Sequence, residues 1–166
     1  DNERIAAGRK HLDEARREEN TYLSQLSHIQ SGQGQWGESI EADMQSHIRK
    51  AIEAYRASLQ YIPDAAVEKR IKELEAALEG RRAFLEKVRQ AAALRKEGDG
   101  LAQAAPREPD FEKSLPMYDE AAAKYRQSLS LYRPPDAGTL ERQIGVIEWM
   151  KHDRMVKKHW ADGQAL

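Results

Sequence analysis

The stretch AIEAYRASLQYIPD, residues 51–64, returns seventy residues later as AAAKYRQSLSLYRPPD, residues 121–136. At that offset Ala51 matches Ala121, Tyr55 matches Tyr125, Arg56 matches Arg126, Ser58 matches Ser128 and Leu59 matches Leu129. Beyond the prolines the match continues at an offset of 73, VEKRIKELE (67–75) against LERQIGVIE (140–148). Upstream, GRKHLDEARRE (8–18) resembles GRRAFLEKVRQ (80–90) at an offset of 72. Three blocks in one order at nearly constant spacing point to an internal duplication, and a duplicated chain folds as stacked copies of one unit. The expected organisation is a single helical domain over 1–166. It holds copies at about 1–72 and 73–150, and a C-terminal helical extension over 151–166.

The unit is helical. Ile5, Gly8, Leu12, Ala15, Glu19, Tyr22, Leu26 and Ile29 alternate steps of three and four, a heptad-like stripe. SGQGQWGES (31–39) interrupts it with three glycines. A second helix is expected from about residue 40 to 61, ending before Pro63, with Asp64 capping a third. The third carries Val67, Ile71, Leu74, Leu78, Leu85, Val88 and Ala92 on one register, broken only by Arg81. Gly80 costs a helix only about 1 kcal/mol relative to Ala, so one long helix from 65 to near 97 is expected. GDG (98–100) and PREPD (106–110) read as the next loop. A fourth helix over about 111–132, the turn RPPD (133–136) and a fifth helix with Leu140, Ile144 and Ile147 complete the chain. Large apolar side chains are scarce while charged residues make up 33%, so the core must be thin and rich in alanine. A formal net charge of −1 removes both the self-repulsion of a disordered polyelectrolyte and any global attraction to nucleic acid or anionic lipid.

The spacing Ala51–Tyr55–Ser58–Pro63 resembles the second half of the tetratricopeptide repeat: a small residue, an aromatic, a small residue, then proline at the turn. Ala121, Tyr125 and Ser128 repeat it, with the proline displaced to Pro134, and LRKEGDGL (94–101) is similar to the family's first helix. The loops at 31–39 and 105–110, the long first helices and a period near twice the usual 34 depart from the family. The resemblance implies an all-α array of antiparallel helical hairpins with long helices, built from two copies of a ~72-residue unit. It also implies a scaffold that holds a peptide or helix in a groove. A closed antiparallel helical bundle is the alternative fold.

Catalytic and metal chemistry find little footing. The chain has no cysteine, which removes disulfides, thiolate nucleophiles and Cys-ligated zinc. It lacks paired Glu-x-x-His motifs, His-Glu-x-x-His, a phosphate-binding glycine loop and a glycine-flanked serine nucleophile. His47 lies four residues after Asp43 and His152 four after Glu148, spacings that solvated helix faces also produce. No metal and no cofactor is expected, and the protein reads as a non-enzyme. The basic run Lys151, Arg154, Lys157 and Lys158 with Trp160 fits the charged end of a last helix better than a phosphate-contacting surface. Nucleic acid is therefore not the expected partner. No segment approaches a membrane span. The missing cysteines and the start at Asp1 favour an exported, periplasmic bacterial protein, a mature form or excised piece.

The partner expected is another protein. Trp36, in the glycine-rich loop, is either an exposed anchor or a cover folded over the bundle end. Trp149 and Trp160 mark a surface on the last helix where a partner or further repeat docks. Arg9, Arg16, Arg81 and Arg89 recur in matched blocks and suggest a basic groove for an acidic peptide. Two other functions stay open: a ligand-binding sensor domain of a bacterial envelope protein, and a structural homodimer formed through the stripes of 5–29 or 67–92.

Overall fold

The computed structural model describes residues 1–163 and is all-α. It contains α1 (Asn2–Gln30), α2 (Glu38–Leu59), α3 (Ala65–Ala104), a 3-10 turn (Ala105–Arg107), α4 (Phe111–Leu131) and α5 (Ala137–Ala161), with no strand among the described residues. Consecutive helices run antiparallel. The chain divides into two compact units, unit 1 at Asp1–Leu85 and unit 2 at Glu86–Leu166. The boundary between the two units falls inside α3. Each unit consists of three helical segments: α1, α2 and the first part of α3 in unit 1, and the rest of α3, α4 and α5 in unit 2.

Local chemistry explains the helix ends. Asp1 caps α1 by accepting from the Glu3 amide, and α1 stops at Ser31, where Gly32 takes a left-handed φ of 77°. Asp64 accepts from the amides of Ala66 and Val67 at the start of α3, and Asp110 accepts from Lys113 at the start of α4. The exposed Pro63 stands between α2 and α3, where it ends one helix without interrupting the next.

The helix expected to stop near residue 97 instead continues through Gly98, Asp99 and Gly100 to Ala104. Gly98 is needed for contact rather than for a turn: a Cβ there would lie 2.9 Å from the Tyr125 ring. Tyr125 in turn donates its hydroxyl to Asp99. Packing of α4 on this stretch compensates for the weak helix propensity of two glycines and an aspartate.

The core of unit 1 contains Ala15, Tyr22, Met44, Ile48, Ala51, Tyr55, Val67, Ile71, Leu74 and Leu78. That of unit 2 contains Ala105, Tyr118, Ala121, Ala122, Tyr125, Leu140 and Ile147. Ser58 and Ser128 are also buried. Ser128 donates to the Ala91 carbonyl at 2.6 Å, an approach that only a small side chain allows. The stripes considered as dimer seams are thus largely internal: Gly8, Ala15 and Tyr22 of α1, and Val67, Ile71, Leu74 and Leu78 of α3, are buried within unit 1. Gly8 is itself a close approach, since a Cβ there would meet Ile62 at 2.6 Å.

Candidate functional site

Unit 1 holds its helices together with charges placed at core positions. Glu41 lies on the buried register of α2 with 0% of its surface exposed. It accepts from Arg81 Nε at 3.0 Å, from the Arg81 Nη2 amino group, from Trp36 Nε1 at 3.0 Å and from Gln45 Nε2 at 3.1 Å. Burial alone raises its carboxyl pKa, but these hydrogen bonds and the Arg81 charge outweigh it and leave the pKa below the ordinary value. A second cluster joins all three helices. Glu19 of α1 accepts from Arg70 Nε at 2.8 Å and Nη2 at 2.5 Å, and from the Tyr55 hydroxyl at 2.6 Å. Here too burial pushes upward, while Arg70 and Tyr55 bring the net shift of Glu19 downward. Burial and the neighbouring carboxylate raise Tyr55 to about 12.

This geometry decides the fate of several expected site residues. Trp36 is folded back and half-buried, edge-on to Phe84 with ring centroids 5.2 Å apart and its N–H on Glu41. It covers the core instead of standing free on the loop. The basic groove loses Arg81 to Glu41. Arg9 and Arg16 stay exposed on α1 of unit 1, and Arg89 is exposed in unit 2. Ala51, Tyr55, Ser58, Ala121, Tyr125 and Ser128 are all buried. His47 bridges helices: Nδ1 lies 2.5 Å from Glu18 of α1 and Nε2 lies 3.5 Å from Asp43. The sequence spacing pointed to Asp43 alone. No cluster of three potential metal ligands occurs among the described residues, and no described helix is long and apolar enough to cross a membrane.

In unit 2 the basic run on α5 points largely inward to its own chain. Lys151 donates to Asp119 at 2.8 Å, and Arg154 donates to the carbonyls of Ala105 and Glu108, pinning the 3-10 turn and the residue that follows it. Lys157 pairs with Asp153 at 2.8 Å and Lys158 with Asp162 at 3.3 Å.

Among the residues that α5 leaves exposed are three large apolar ones. Leu140 and Ile147 face the core, while Val146, Trp149 and Trp160 are 54%, 64% and 77% exposed. With Asp153 and the half-buried Val156 they form a stripe with steps of three, four, three and four. Gly145, open to solvent, lies beside it, and nothing lies within 4 Å of where its Cβ would be. The two tryptophans were legible in the sequence. Val146 and Val156 were missed because attention followed the inward register of Leu140, Ile144 and Ile147, although the second stripe has the same periodicity.

Grooves also lie on the surface of unit 1. One, of about 590 Å³ between α2 and α3, has Ile52 and Leu78 among its lining residues, with Arg49, Glu53, Glu79 and Arg82 beside them. Arg56 and Glu75 in its wall already pair with each other at 2.6 Å.

Comparison with known proteins returns no matching family model, no matching curated protein and no matching solved structure.

Proposed function

We propose that this chain is a non-enzymatic protein-interaction module, a tetratricopeptide-like scaffold of helical hairpins whose binding face is the outer side of α5. The observation that carries the reading is the exposure of Val146, Trp149 and Trp160 on one face of one helix. With about 150–250 Å² available from each buried aromatic, the two tryptophans alone would remove roughly 200–350 Å² from water if covered. That approaches the size of patches that mark binding sites on soluble proteins. Tryptophan is also the side chain most often found to dominate interface energetics. The buried carboxylates support the non-enzymatic reading, because Glu41 and Glu19 are each committed to an arginine that fixes a helix. The groove between α2 and α3 favours a sensor less, since Arg56 and Glu75 in its wall pair with each other.

The test is quantitative capture from a lysate of the source cells, using as bait the wild type, the pair Trp149→Glu/Trp160→Glu, and Ala76→Glu on the exposed side of α3. The expected result is a discrete polypeptide retained by the wild type and by Ala76→Glu, and lost from the double variant. Equal retention by all three baits would refute the assignment of the face.

A further inference from the structure

The same chain contains a helix against which α5 can be compared. The 73-residue offset that aligns Ile71 with Ile144 and Glu75 with Glu148 also places Glu73, Ala76, Gly80 and Ala83 of α3 at the positions of Val146, Trp149, Asp153 and Val156. Both helices use that alignment in the same way on one flank: Arg56 pairs with Glu75, and Arg126 pairs with Glu148. The four α3 residues are all exposed, and they are acidic or small. A helix in this setting therefore needs no large apolar residues on its outer side, and those on α5 exist for something outside the unit.

A further repeat of the same kind is a poor occupant. The buried residues of α3 in unit 2 are Ala91, which accepts from Ser128, and Gly98, which lies against Tyr125, while Leu101 and Ala102 pack on the core of the unit. Counted on by 73, those positions begin at 164, beyond the last residue of α5. The stripe from 146 to 160 lies earlier, on a face that α3 leaves to solvent.

We propose that the outer face of α5 binds the same face of a second copy of this chain, the two helices packing antiparallel about a two-fold axis. The inference rests on the reading of this face as the binding surface and names what covers it. Steps of three and four make Val146, Asp153 and Trp160 one class of seam position, and Trp149 and Val156 the other. In an antiparallel seam the classes face each other across the axis. Trp149 then meets Trp160 of the second copy, and Asp153 meets Val156 of the second copy. In that register Lys157 of each copy comes level with Asp153 of the other and on the same side of the seam. Two intermolecular ion pairs thus form from residues that already pair along the helix at 2.8 Å. A formal net charge of −1 sets little repulsion against association. The two tryptophans, the valines and the lysine stem cover roughly 500 Å² per copy, below the ~800 Å² per partner of a stable complex. The dimer is accordingly weak and reversible.

The experiment is sedimentation equilibrium of the whole chain from about 5 to about 500 μM, a range suited to a weak, reversible dimer. Circular dichroism confirms the fold of each variant. The wild type is expected to pass from monomer to dimer mass, while Trp149→Glu/Trp160→Glu stays monomeric. Asp153→Lys and Lys157→Asp are each expected to weaken self-association at least tenfold. Mixed one to one they are expected to recover it, because only in the mixed dimer do opposite charges face across the seam. A wild type that remains monomeric throughout overturns the proposal, as does a tryptophan variant that dimerises like the wild type. A mixture that fails to recover overturns the antiparallel register. A monomeric wild type whose tryptophans still govern capture of another protein leaves the proposed function standing and removes only the self-pairing.

Discussion

Replacing Arg81 by alanine removes the cation bound to Glu41, whose side chain is 0% exposed. Two neutral donors remain, Trp36 Nε1 at 3.0 Å and Gln45 Nε2 at 3.1 Å. They solvate the carboxylate but cannot neutralise it. Breaking a buried ion pair from one side costs about 3–5 kcal/mol, and the surviving donors place this case near the lower end. With a urea m-value of about 1 kcal/mol/M for a unit of this size, the midpoint should fall by about 3 M. The assay is urea unfolding followed by Trp36 emission in a Trp149→Phe/Trp160→Phe background, so that the signal reports unit 1. The pH dependence has a definite sign. The wild-type carboxyl titrates below its ordinary value, so its stabilisation is fully present above about pH 4.5 and is lost as pH falls through the depressed pKa. The gap between wild type and Arg81→Ala should therefore close in acid, where the orphaned carboxyl takes up a proton. Replacing both partners, as Glu41→Leu/Arg81→Met, should recover most of the loss, because an apolar pair leaves no charge to solvate. A cost below about 1 kcal/mol for Arg81→Ala, the size of an exposed ion pair, would refute this reasoning.

Two alanine substitutions at helical glycines should have opposite signs. Gly98→Ala drives a Cβ to 2.9 Å from the Tyr125 ring and should destabilise unit 2 by about 1–3 kcal/mol, whereas Gly80→Ala enters open space and should stabilise α3 by up to about 1 kcal/mol; thermal melts of the two variants check both. Tyr55, raised to about 12, adds stability that is complete below about pH 10 and fades as pH climbs towards 12. Tyr55→Phe should flatten that alkaline limb in a stability-against-pH series. Arg126→Ala breaks an ion pair whose members are both more than half exposed, and its urea midpoint should differ from wild type by less than the equivalent of about 1 kcal/mol.

The helices were legible wherever apolar spacing and proline agreed. Tyr55 and Tyr125 announced buried positions because small residues flank them at helical intervals, and Pro63 falls where α2 must end. Gly80 was correctly read as tolerable inside a helix. Gly98 and Gly100 were misread by the opposite logic, since glycine signals a turn and a tight helical contact alike. Only the Tyr125 ring, which arrives from α4, tells them apart. Arg81 was visible as a break in the α3 stripe, and Glu41 shares the register of Met44, Ile48 and Tyr55 on α2. Arg81 alone stood out as a break in an apolar pattern, and its explanation lies in Glu41, a residue of another helix on which the sequence analysis placed no expectation. Trp36 shows a similar limit. Its loop is polar and glycine-rich, yet Phe84 and Glu41, distant in sequence, hold its ring in place. On α5 the inward stripe drew attention from the outward one, although both follow the same helical period.

The central claim is that the outer face of α5 is covered when the protein works. Site-specific photo-crosslinking in the source cells tests it most directly, with a benzophenone side chain placed at 149, at 160 and, as a control, at 76 on the corresponding side of α3. Strong crosslinked products are expected from 149 and 160, identified by mass spectrometry as this chain joined to itself, and none from 76. No product from either α5 position, or equal products from all three, would contradict it.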